Sequence, residues 1–209
     1  MPQDFERAVL RPRDAADAAD IVAGAQRPLE PVGGGSKRAI GRPIEADLLD
    51  LGELAGIVTY EPAELVLTAQ AATPLATLDA ALATHAQRLA FEPPDFGTLL
   101  GVRGEQTIGG VLAANLAGSR RVAAGAARDH FLGFNAVSGR GEQFKAGGKV
   151  VKNVTGYDLP KLLAGSWGTL AVLTDVTLRV TPAAVAGRQT TFGARRKSRT
   201  CRKVEGCSP

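Results

Sequence analysis

Between Gly101 and Arg179, four hydrophobic elements are separated by four turns of small residues, and this stretch limits the folds open to the chain more than any other. At its centre runs Thr107-Ile-Gly-Gly-Val-Leu-Ala-Ala-Asn115, an apolar helical segment with a glycine pair at its start and Gly118 just beyond its end. Three further motifs follow: Arg128-Asp129-His130-Phe131-Leu132-Gly133, Gly147-Gly-Lys-Val-Val-Lys-Asn-Val-Thr-Gly-Tyr-Asp158, and Gly165-Ser-Trp-Gly-Thr-Leu-Ala-Val-Leu-Thr174. Glycine at such turns lets backbone N–H groups approach a ligand closely, and a helix N-terminus adds positive potential suited to phosphate. In the expected helix Thr107–Leu116 the small residues Gly109, Gly110, Ala113 and Ala114 leave room for a flat ligand or for close packing of elements. The pattern alone does not choose between these.

The first half is less regular. Asp14 is the expected N-cap of a helix whose apolar stripe is Ala15, Ala18, Ala19 and Val22, ending near Gln26. Pro28–Val32 reads as a short strand running into Gly33-Gly-Gly-Ser-Lys37. Such a loop can gather N–H groups around an anion, with Ser36 and Lys37 adding a hydroxyl and a charge. Read by itself it fits a flexible turn better than a pyrophosphate cradle. It lacks both the P-loop spacing and the dinucleotide glycine fingerprint. Three β-prone runs follow, Asp47–Leu51, Gly56–Tyr60 and Glu64–Ala69. A helix then starts with Pro74 at its first position, carrying Leu75, Leu78 and Leu82 on one face, and Arg88–Phe91 is a further strand. The second half adds a hairpin of Leu132–Val137 and Glu142–Phe144, a short strand at Val150-Val151, and a helical turn Asp158–Leu163. A long last strand, Thr169–Val180, is closed by Thr181-Pro182. The expected organisation is α+β, with one lobe over residues 1–96, a second over 97–182, and a disordered basic tail over 183–209.

The net charge of +4 comes from that tail. Residues 188–209 hold seven Lys or Arg against the single acid Glu205, leaving residues 1–187 with 18 basic and 20 acidic residues. Both cysteines, Cys201 and Cys207, lie there too, so the body has no disulfide framework or thiolate metal site. A nucleic-acid partner is not expected, because the body is slightly acidic and no aromatics interleave its basic residues. No apolar run reaches the roughly 20 residues that span a bilayer, and the start, Met-Pro-Gln-Asp-Phe-Glu-Arg, has no signal-peptide core. A cytoplasmic protein is expected.

The Thr107-Ile-Gly-Gly run with Asn115 and Gly118, the Arg128-Asp129…Leu132-Gly133 turn, and the Lys152–Leu159 and Gly165–Thr174 motifs resemble the FAD-binding domain of the vanillyl-alcohol oxidase (PCMH-type) flavoproteins. The last motif is similar to the branch containing glycolate oxidase and D-lactate dehydrogenase flavin subunits. The short first lobe with Pro31-Val-Gly-Gly-Gly-Ser-Lys37 looks most like the FAD-binding subunits E of glycolate oxidases. The resemblance covers roughly Leu10 to Pro182. It implies a PCMH-type fold of two α/β subdomains with FAD between them. Gly33, Gly34, Gly35, Ser36 and Lys37 would cradle phosphate, and Thr107, Gly109 and Gly110 would contact the diphosphate or ribityl chain. Asn115 and Gly118 would shape the pocket, with Gly168 and Val172 near the cofactor. Without His or Cys in the first loop the flavin would be non-covalent.

By the same resemblance the function is that of an FAD-binding subunit of a glycolate oxidase or dehydrogenase complex, oxidising a small 2-hydroxy acid. Its partners would be a larger catalytic flavin subunit and an iron–sulfur subunit, with peripheral placement at the inner membrane through them. A flavin-free scaffold subunit is the alternative. The family continues past Val180 into a cap, whereas this chain has the basic tail, which implies a truncated or frame-shifted reading of a longer gene. No His/Asp/Glu cluster has metal-ligand spacing. His85 reads as solvated or capping and His130 as a structural hydrogen-bonding group. Arg120, Arg121 and Arg128 are candidates for a carboxylate, and Trp167 and Tyr157 for stacking on a ring, against plainer surface and packing roles. No catalytic residue is assigned.

Overall fold

The computed structural model describes residues 6–102, 104–148 and 156–184. The expected strand at Val150-Val151, the basic Lys149 and Lys152, and nearly all of the tail fall outside them. In chain order the elements are β1 (Val9–Leu10), α1 (Ala15–Gly24), β2 (Leu29–Val32), β3 (Asp47–Asp50), β4 (Ile57–Glu61), β5 (Val66–Gln70), α2 (Leu75–Ala83) and β6 (Gln87–Leu89). The chain continues with α3 (Gly97–Leu100), α4 (Ile108–Ala114), α5 (Arg121–Ala124), β7 (Phe131–Ser138), β8 (Gln143–Gly147), α6 (Leu159–Leu163) and β9 (Ala171–Pro182).

Two sheets form. The smaller is parallel, in the order β1-β3-β2: α1 carries the chain from one edge to the other, and β3 inserts between them. Asp14 caps α1 through its side chain on the Asp17 N–H, at 2.8 Å. The larger sheet is antiparallel in the order β4-β5-β9-β7-β8, with β6 pairing to the end of β9. The division of lobes drawn at residue 96 therefore does not coincide with the division of sheets. β4, β5 and β6 come early in the chain but pair, directly or through β5, with β9, which comes last. Local pattern marks a strand, but not the distant strand it will join.

β9 is the spine. Twelve residues long, it pairs with β5, β6 and β7, and Val176, Leu178 and Val180 are fully buried. Pairing with β6 draws Thr181 and Pro182 into the strand, where the sequence places its end. Leu170 stays outside it, 51% exposed. Thr174, in step with Val176, Leu178 and Val180 by the two-residue period, is buried with them, and a register shift between Asn135 and Ala136 of β7 interrupts the pairing with β9 beside it. Pro74 is the N-cap of α2, one position before the first helical residue, because the bond of Leu75 N to Gln106 O (2.9 Å) fixes the helix start.

α2 and α4 cover one face of the large sheet with Leu78, Leu82, Ile108, Val111 and Leu112 against Leu67, Val176 and Leu178. Each such buried side chain contributes about 1.5–3 kcal/mol relative to exposure. A second core joins Ala18, Ala19, Leu49, Leu51 and Leu54 to Val137 and Val172 of the large sheet. That contact sets the two sheets side by side, with the loop after β2 facing α4. Among the described residues no helix is long and apolar enough to cross a membrane.

Candidate cofactor site

Leaving the small sheet at Val32, the chain enters Gly33–Lys37 and runs directly against the segment Gly104–Thr107 that leads into α4. The approach is backbone to backbone. A Cβ on Gly34 would lie 2.0 Å from Glu105 O, and one on Gly104 would lie 2.0 Å from Gly34 O. One on Gly33 would lie 2.5 Å from Thr107 Oγ1. No side chain fits at these positions, and Gly35 adds a φ of +71°. The backbone N–H groups from Gly33 to Lys37 donate no hydrogen bond to another described residue. Five consecutive donors without acceptors among the described residues are the makings of an anion cradle.

Two cations follow. Lys37 is partly buried, and that burial pulls its ammonium below the ordinary lysine range, against the opposing charge of Asp95. Its Nζ donates to Gln106 Oε1 at 3.2 Å, with Ser36 Oγ at 3.4 Å. Arg38 instead turns back to β2 and donates through Nε and Nη2 to both oxygens of Glu30, each at 2.9 Å. Arg7 adds a third bond to Glu30. The hydrogen bond from Arg38, with the charges of Arg38 and Arg7, holds the Glu30 carboxyl below its usual range against the effect of its burial. This clamp fixes the loop's exit relative to the strand it left.

α4 forms the floor. Ile108 N donates to Thr73 O (3.0 Å) and Gly109 N to Ala71 O (2.7 Å). A Cβ on Gly109 would sit 2.7 Å from that of Ala71. The reason for glycine at 109 is thus close packing of α4 on the segment after β5, and its amide is already engaged. Gly110 and Ala113, one turn apart and only partly buried, make the open side of the helix beside Thr107. Asn115 ends α4 in the left-handed region at φ +48°, and its Oδ1 accepts from Arg128 N at 3.1 Å. Gly118 N donates to Glu92 O at 2.9 Å. The turn Gly165–Gly168 is tied to α4 by Gly165 N on Leu112 O (3.1 Å) and Trp167 N on Ala113 O (2.9 Å). Gly168, at φ +78°, lies against Pro31, where a Cβ would be 3.3 Å from the ring.

The structure therefore brings Gly33, Gly34, Gly35, Ser36, Lys37, Thr107 and Gly110 together at one end of α4, and joins Gly168 to them through Pro31. Asn115 and Gly118 lie at the other end, about 12 Å along the helix axis by the rise per residue. Val172 is buried in the second core, 7% exposed. Sequence reasoning passed over Gln106, Glu30, Gly104 and Pro31. The first two are polar residues in otherwise ordinary settings, and only the fold places them on Lys37 and Arg38.

His130 is buried: its Nε2 lies 3.0 Å from Ala124 O and its Nδ1 3.3 Å from Arg179 Nη2, with Phe91 stacked on the ring. That is the structural role expected of it. His85 is exposed beside Thr84 and Tyr60. Arg120 pairs with Glu92, while Arg121 and Arg128 are on the surface. Tyr157 is 90% exposed and Trp167 44% exposed, the latter at φ +55°. No group of His, Cys, Asp and Glu that could hold a metal occurs among the described residues.

The donor row at Gly33–Lys37, the close-set glycines and a partly buried ammonium fit a dinucleotide's diphosphate. Beside this row, the small residues Gly110 and Ala113 are partly exposed on α4. Residues 7–147 match the family model described as the FAD binding domain. Glycolate oxidase subunit GlcE of Escherichia coli is 45% identical over 155 residues, 74% of this chain and 43% of that protein. Glycolate oxidase subunit GlcD of Bacillus subtilis is 32% identical over 184 residues, 86% of this chain and 38% of that protein. Among solved structures, alkyldihydroxyacetonephosphate synthase superposes with a TM-score of 0.68 at 20% identity, over 85% of this chain and 32% of that one, and shares the fold. The chain spans less than half the length of these relatives. It belongs to the FAD binding domain family, with the α+β fold of the PCMH-type flavoproteins and FAD as the cofactor.

Proposed function

We propose that this chain of the FAD-binding family is the flavin-binding part of a subunit in a glycolate oxidase or dehydrogenase complex, serving the oxidation of a 2-hydroxy acid to a 2-oxo acid. What supports the reading is that the Gly33–Lys37 cradle lies within the residues matched by the FAD binding domain model, that the chain is 45% identical over 155 residues to a glycolate oxidase subunit, and that the cradle's donors meet no acceptor among the described residues. FAD, when bound, supplies the two-electron acceptor for such an oxidation.

The chain's own part is binding and orientation. The N–H row from Gly33 to Lys37 and the Lys37 ammonium would hold the diphosphate. Thr107 and Gly110 would border the chain linking it to the ring system, and Gly168 would close the side toward β2. Neither described histidine is offered to a substrate hydroxyl, since His130 is enclosed by Ala124, Phe91 and Arg179, and His85 lies in the turn past the far end of α2. On this reading the base and substrate contacts come from other parts of the assembly: a larger catalytic flavin subunit, with an iron–sulfur subunit to take the electrons onward.

Co-expression of the tagged chain with those two subunits tests this. The expected result is a stable complex carrying flavin on this chain and reducing an artificial acceptor with glycolate. A complex that assembles and turns over with this chain devoid of flavin would replace the reading with that of a scaffold.

A further inference from the structure

The two cations after the glycine loop are treated differently. Arg38 is neutralised by Glu30 through a two-pronged ion pair. Lys37 meets a neutral partner, Gln106; Asp95 acts on it through its charge, but no carboxylate of a described residue comes within ion-pair distance of it. An ammonium has three donors. Gln106 Oε1 takes one and Ser36 Oγ, at 3.4 Å, weakly takes a second, which leaves a third directed elsewhere. Gln106 is itself fixed: its carbonyl accepts from Leu75 N at 2.9 Å, and Thr107 next to it bridges to Pro74. The side chain thus reaches Lys37 from a backbone anchored at the start of α2.

We propose that Gln106 is a positioning residue that holds the Lys37 ammonium between the two glycine loops without cancelling its charge, reserving that charge for the diphosphate of FAD. This rests on the cradle reading above. Glutamate would have nearly the same shape and could make the same contact, but it would form an ion pair with Lys37 in a partly buried site, where charges act strongly. Amide at 106 and carboxylate at 30 therefore divide the labour: one cation is kept available and the other is spent on holding the loop.

The test compares wild type, Gln106→Glu and Gln106→Met by FAD titration over a range of salt concentrations, with inorganic pyrophosphate as a flavin-free probe in thermal-shift measurements. Gln106→Glu is expected to weaken FAD binding by about tenfold at low salt and to flatten its salt dependence, while its melting temperature is unchanged or higher. Gln106→Met keeps the charge but loses its placement, so a smaller loss with the wild-type salt slope is expected. A Gln106→Glu protein that binds FAD as tightly as wild type with the same slope would overturn the proposal. If Gln106→Glu fails to fold, wild-type affinity in Gln106→Met overturns it instead. Wild type that answers to neither FAD nor pyrophosphate is a different failure, that of the cradle itself.

Discussion

At the scale of single residues, the site sets stability against binding. Burial holds the Lys37 pKa below that of the unfolded chain, so the unfolded state keeps this proton more tightly. The charged form therefore opposes folding at neutral pH, and the penalty is relieved as pH rises from the depressed folded value through the ordinary 10.5. Lys37→Met is expected to melt at the same or a higher temperature than wild type near pH 7. It should at the same time bind FAD more weakly by about tenfold or more, the scale of one charge-assisted contact. Calorimetry and a flavin titration on the same preparation check both halves. Glu30 has the opposite sign. Its folded pKa is depressed, so its contribution is present above its unfolded value near 4.5 and is lost as pH falls through the folded value. Glu30→Gln should cost at most about 1 kcal/mol at neutral pH. The gap to wild type should close in acid, which denaturant melts at a series of pH values would show.

Elements explain why some glycines matter through packing. Gly109 is where α4 meets Ala71, and Gly141 is where the β7–β8 turn meets α1, with a Cβ there only 2.5 Å from that of Ala23. Gly109→Val must push α4 from the large sheet. The expected cost is about 1–3 kcal/mol, the range for overpacking a filled core. Leu112→Ala, on the buried side of the same helix, should cost about 2–5 kcal/mol through a cavity. Urea denaturation of the two variants measures both. Much of this level was legible in the sequence. The N-cap at Asp14, the helix after Thr107, the hairpin and the long last strand follow from caps, period and turn residues, which are local. The partnership of β4, β5 and β6 with β9 was not legible, because pairing across a hundred residues leaves no mark in any one window. The ambiguity of α4's small residues also resolves only in three dimensions: Gly109 packs against Ala71, while Gly110 and Ala113 stay open. Of the candidate site, the glycine loop announced itself by composition. Gln106 and Glu30 did not, since a glutamine before a helix and a glutamate in a strand are unremarkable until the fold sets them against Lys37 and Arg38.

For the whole molecule, two sheets joined through Val137 and Val172 hold the loop after β2 against the start of α4, and the cradle exists only because both are in place. Ligand that binds there must stabilise the folded chain by mass action, by about 2.7 kcal/mol at a hundredfold excess over its dissociation constant. The basic residues from Arg188 onward lie away from the cradle in sequence, and the account expects that removing residues 188–209 leaves FAD affinity unchanged. The most direct measurement is an absorption and melting study of the purified chain with and without added FAD, with Gly34→Val alongside, whose side chain would collide with Glu105 O. The account predicts flavin absorbance that co-elutes with the wild-type chain, a melting temperature that climbs with FAD concentration, and neither effect in Gly34→Val. A folded wild-type chain that stays colourless and melts at the same temperature at every FAD concentration would contradict it.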